Sequence, residues 1–145
     1  MVGPVVGMHA ATLPQRANIA WLGEQPHALM PELMRGWNLG WLPWRTSAAT
    51  VEAHPAQVLE YLACGLPVVS PWISDLAPLA PAGIRWACHH AMHLSHCDAI
   101  LAEPEASRRT PQRLAHLLLQ RRDWSDAVHR VEGWMGGALN LQRVA

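Results

Sequence analysis

Lysine and phenylalanine are both missing from the 145 residues, and every basic side chain is an arginine. Set beside eight tryptophans, these absences reflect genomic base composition rather than a binding chemistry, and they carry no functional weight. The lack of net charge excludes more. Eleven basic residues balance eleven acidic ones, so no long-range field marks the chain as a partner of nucleic acid or of an anionic membrane surface. Cysteine is scarce: Cys64, Cys88 and Cys97 are odd in number and lack the dense spacing of a secreted disulfide scaffold. That usage points to a reducing compartment, by default the cytoplasm. No run approaches the roughly 20 apolar residues of a membrane span, and the opening MVGPVVGMHAA lacks the charged start and long apolar core of a signal peptide. No repeat, low-complexity tract or linker divides the chain. It is therefore read as one domain, half apolar and long enough to bury a core.

What is present is an alternation of short apolar runs with helical patterns, the rhythm of an α/β fold. NIAWLG (18 to 23) reads as a buried strand ended by Gly23, followed by a helix over PHALMPELMRGW with Leu29, Leu33 and Met34 at helical spacing. LGWLPW (39 to 44) is the next strand, then the polar loop RTSAATVEAH, then the helix PAQVLEYLAC with Pro55 at its first position and Gly65 as its cap. PVVSP (67 to 71) and IRWAC (84 to 88) complete a set of runs that suggests a mostly parallel sheet covered on both faces. From about Ala91 the pattern is helical to the end, with Thr110 and Asp123 as N-caps.

The stretch EAHPAQVLEYLACGLPVVSP, 52 to 71, poses a question, because Glu60 sits in a half-buried helix. At about 100° per residue, Val58, Leu59, Leu62 and Ala63 share one arc, while Gln57, Glu60 and Cys64 gather opposite. Glu60 therefore leaves the core. Periodicity alone makes it a solvated carboxylate on a polar stripe.

Glu52, seven intervening residues, Glu60 and YLACGLPVVSP together resemble the donor-site signature of GT-B glycosyltransferases of the glycogen-synthase-like and bacterial mannosyl- or galactosyl-transferring kind. The flanking NIAWLGEQPHALMPELMRGWNLGWLPW and RRDWSDAVHRVEGWM are similar to segments before and after that motif. The resemblance implies a Rossmann-like donor-binding domain that holds a UDP- or GDP-linked hexose for transfer to a saccharide or lipid-linked acceptor, with no bound metal or other cofactor. It implies that Glu60 accepts hydrogen bonds from the two ribose hydroxyls and that Glu52, the catalytic candidate, faces the donor sugar. Ala56 and Gln57 would offer helix-end amides to the diphosphate, and Gly23 would form the tight turn beside the base. Arg45, on the edge of the same crevice, is the nearest spare cation, although an exposed loop arginine is as natural a reading. His54 lies between the glutamates, where it could touch the sugar or act as an acid near neutral pH; a loop histidine without a mechanistic role is the plain alternative.

Departures from the pattern qualify these expectations. Gln57 stands where a lysine is usual. At 145 residues the chain holds less than the two Rossmann-like domains of such an enzyme, and MVGPVVG resembles the tail of the donor domain's second strand. A single partial domain, 1 to 145, lacking its first strand, is expected. In a 3-2-1-4-5-6 order that strand is central. Transfer would then need parts beyond this chain, from a complementing partner or another domain, and self-association is expected if sheet edges are left open. The competing class is a non-catalytic α/β interaction module that keeps the signature without turnover. CHHAMHLSHC, 88 to 97, holds four His and two Cys in ten residues. His89, His93 and Cys97 lie one turn apart, yet no paired Cys-x-x-Cys accompanies them, and partly exposed helix histidines are the expectation rather than a metal.

Overall fold

In the computed structural model, which describes residues 1–120 and 124–142, the chain separates into two compact units, Met1–Gly36 and a second that begins at Trp37. The first contains single 3₁₀ turns at Ala10–Thr12 and His27–Leu29 and the helix α1, Met30–Arg35. The strand expected over 18 to 23 does not form. Its groups instead meet the chain start in an irregular pairing: the amino terminus donates to Ala20 O at 2.7 Å, Leu22 N to Met1 O and Gly3 N to Gly23 O, each at 2.9 Å. Two backbone bonds with a left-handed Gly23 (φ 66°) beside them do not make a regular ladder.

The second unit is α/β. Its sheet has three parallel strands, β1 (Gly40–Trp41), β2 (Val68–Ser70) and β3 (Ile84–Trp86), in the order β1-β2-β3 with no gap between them. Gly40 pairs with Val68, and Val68 in turn with Ile84. Between β1 and β2 run α2 (Ala48–Val51) and α3 (Ala56–Ala63). The segment expected to be a plain polar loop thus contains a helical turn, because Ser47 and Thr50 form a capping box in which each side chain accepts from the other's backbone N–H. Pro55, expected as the first helical residue, is instead the N-cap of α3, which begins one residue later at Ala56. At the other end Gly65, at φ 76°, turns the chain so that Leu66 N donates to Tyr61 O and Gly65 N to Leu62 O, a Schellman motif.

Residues Ser74–Ala82 cross from β2 to β3 as a 3₁₀ segment. Pro78 and Pro81 inside it lack the N–H an α-helix would need. Then α4 (His90–Ala102), α5 (Glu105–Gln120) and α6 (Trp124–Gln142) follow. Thr110, expected to start a helix, lies within α5, which begins five residues earlier; Asp123 falls outside the described residues.

Alternation along β2 divides the core between two faces. Val68 packs with Val58 and Leu62 of α3, Leu76 and Leu79 of the 3₁₀ segment, and Ala115 of α5. Val69, on the opposite face, packs with Ala87 and Ile100, joined by Met92 and Cys97 of α4. Both valines are fully buried, and removing such a side chain from water contributes about 1.5–3 kcal/mol. Helices therefore cover both faces, as the apolar runs implied. Among the described residues no helix is long and apolar enough to cross a membrane.

Candidate functional site

Parallel strands end together, and the loops that leave their carboxyl ends enclose an open crevice. Here that crevice is a cleft of about 530 Å³. From β1 come Trp41 and the following Pro43, Trp44 and Arg45; Pro71 follows β2; the turn after β3 supplies Cys88 and His89 before α4 begins. His90 and His93, on the first turn of α4, complete it. The lining holds one arginine and three histidines and no carboxylate.

His93 is the most constrained of these groups. It is 8% exposed and, with Ser70, one of two buried polar side chains among the described residues. The Trp41 indole N–H donates to its Nδ1 at 3.2 Å, with the two rings edge to face at 69°. An indole nitrogen can only donate, so Nδ1 is unprotonated and the ring proton sits on Nε2. Burial lowers the imidazole's affinity for a second proton, and nearby His90 and His96 add to the effect. His89 is the N-cap of α4, its Nδ1 accepting from Met92 N at 3.2 Å. His96, a turn further on, meets Trp86 O at 3.1 Å and ties α4 to β3.

Of the donor-site residues that the resemblance implied, Arg45 lines this cleft and the others do not; Cys88, His89 and His93 of the histidine-rich segment line it as well. Glu52 is exposed at the C-cap of α2. His54 is exposed and ion-paired with Asp75 when protonated, while Ser74 Oγ donates to Val51 O at 3.0 Å. Those two contacts fasten the Glu52 loop to the start of the 3₁₀ segment. Ala56 and Gln57 are the first two residues of α3, both exposed, and Pro55 offers them no side-chain cap. Glu60 is half-buried beside Tyr61, whose phenol is pushed up by burial and then by the Glu60 charge. Gly23 belongs to the first unit.

The histidine-rich segment was legible in sequence only as a cluster. Its ring nitrogens are engaged separately, at a helix cap, a tryptophan and a carbonyl, and among the described residues no group of three His, Cys, Asp or Glu could hold a metal ion. The missed signal was positional: a strand, a three-residue turn and a helix place His89, His90 and His93 at the sheet's carboxyl edge. No protein-family model, no curated protein and no solved structure matches the chain.

Proposed function

We propose that the chain is a Rossmann-like donor-nucleotide domain of the GT-B type, binding a UDP- or GDP-activated hexose for transfer to a saccharide or lipid-linked acceptor. The observation that carries this reading is the seat of the two glutamates. Glu52 caps the end of α2 in the connection from β1 to α3, Glu60 lies on α3, and the chain then enters β2, which pairs in parallel beside β1. That strand, loop, helix and strand is the unit on which a nucleotide sits at a helix start.

The chemistry follows from the groups available. Ala56 and Gln57 carry N–H groups with no hydrogen-bond partner among the described residues, because the first amides of a helix have none within it. They are open to anionic oxygens, and stabilising the departing diphosphate is the main electrostatic task in such a transfer. Glu60 supplies the two-oxygen acceptor that a ribose diol requires, Glu52 the carboxylate toward the sugar, and His54 a titratable group beside it. Calorimetric titration of UDP, GDP and ADP tests the assignment. Glu60→Ala is expected to weaken the preferred nucleotide by about 1.5–3 kcal/mol, and equal affinities for both proteins would sink it.

A further inference from the structure

No residue of α3 lines the cleft at the carboxyl ends of β1, β2 and β3, and its lining has a chemistry of its own. We propose that this cleft is a binding site for a phosphoryl group, held by Arg45, His93 Nε2–H and the first amides of α4, on a molecule whose flat apolar part lies against Trp41 and Trp44. The proposal rests on the cleft alone and not on the glycosyltransferase reading.

Four observations converge on it. His93 is more than nine-tenths buried and lines the cleft, yet with Nδ1 taken by Trp41 its remaining polar atom, Nε2–H, has no hydrogen-bond partner among the described residues. A buried donor left unpaired costs free energy unless a ligand or water completes it. Arg45 is exposed on the rim and forms no ion pair among the described residues. The thirteen-residue α4 directs its N-terminal end at the same space, where the amides of His90 and Ala91 have no partner among the described residues. Finally, every ionisable side chain of the lining is basic or a thiol, so nothing repels an anion there.

Donors of three kinds, a guanidinium from the loop after β1 and an imidazole N–H and backbone amides from the first turn of α4, suit an anion with three oxygens better than a two-oxygen carboxylate. Trp41, Trp44, Pro43 and Pro71 give the lining apolar surface that a free inorganic ion would leave unused.

Calorimetric titration of the full chain with inorganic phosphate, pyrophosphate and phenyl phosphate decides the matter. Saturable one-to-one binding is expected, with phenyl phosphate tighter than inorganic phosphate. Arg45→Gln and His93→Asn should each weaken it about ten- to a hundredfold. His93→Asn removes the Nε2 donor while keeping an acceptor for Trp41, whereas His93→Gln restores a donor near Nε2 and should recover affinity. Arg45 is exposed, so its variant folds even if a His93 variant does not. Absence of saturable binding, or an affinity unchanged in Arg45→Gln, overturns the proposal; equal affinity for phenyl phosphate and inorganic phosphate overturns the part assigned to the tryptophans.

Discussion

A single imidazole carries the strongest residue-scale consequence. Burial, reinforced by His90 and His96, holds His93 below its ordinary value of 6.5, and the neutral ring is the form that accepts from Trp41. The unfolded chain takes up a proton on this group at a higher pH than the folded chain does. Unfolding therefore binds protons as the solution is acidified, and the contribution is complete above about 6.5 and lost as pH falls below it. The urea midpoint of the wild type is expected to drop between about pH 7 and pH 5, and to drop less in His93→Gln, which cannot titrate there. Identical pH profiles for the two proteins would remove His93 as the cause.

At the scale of elements, the contact between α3 and β1 sets a test. A Cβ built on Gly40 would overlap Tyr61 Cδ2 and Cγ and come within 2.9 Å of its Cβ. Only a residue without a side chain lets β1 pass under α3. Gly40→Ala forces either the tyrosine or the strand aside, and overpacking of this kind costs about 1–3 kcal/mol. A lower urea midpoint is expected, with the penalty reduced in a Tyr61→Ala background, which removes the two nearest atoms, Cδ2 and Cγ; equal penalties in both backgrounds would place the strain elsewhere. The same helix shows how far periodicity reaches. Val58 and Leu62 are buried as their spacing requires, but Ala63, on the same arc, is exposed. The hidden face is set by what packs on it, and the last turn of α3 extends past that cover.

Across the whole molecule, the core is concentrated in the second unit. Among the described residues Met34 is the one buried apolar side chain before Trp37, and the rest run from Leu42 to Ala115. Segments with few buried apolar contacts open locally at little cost. Hydrogen exchange is expected to be slowest at Leu42, Val68 and Ala87, whose amides donate across the sheet to Val69, Gly83 and Ser70. It should be fastest at Gly3 and Leu22, whose bonds join irregular segments of the first unit. Protection of Gly3 and Leu22 equal to that of Val68 would show that the two units unfold as one.

Local chemistry by itself determined the α/β class, the runs that became β1, β2 and β3, the glycine stop of α3 and the helical C-terminal third. Each follows from signals carried within a few residues: apolar periodicity, a left-handed glycine, a proline near a helix start. The capping box of α2 is equally local, in Ser47 and Thr50, but its polar side chains are also those of an ordinary loop. What only the tertiary structure decided depends on residues far apart in the chain. NIAWLG has the composition of a strand but no regular ladder to join, since a strand needs partners its own sequence does not specify. The cleft is of the same kind: Trp41 and His93 are 52 residues apart, and no spacing rule joins them. Their hydrogen bond fixes the tautomer, and parallel pairing brings Arg45 and the start of α4 to the same edge, because strands running one way must release all their loops at one end.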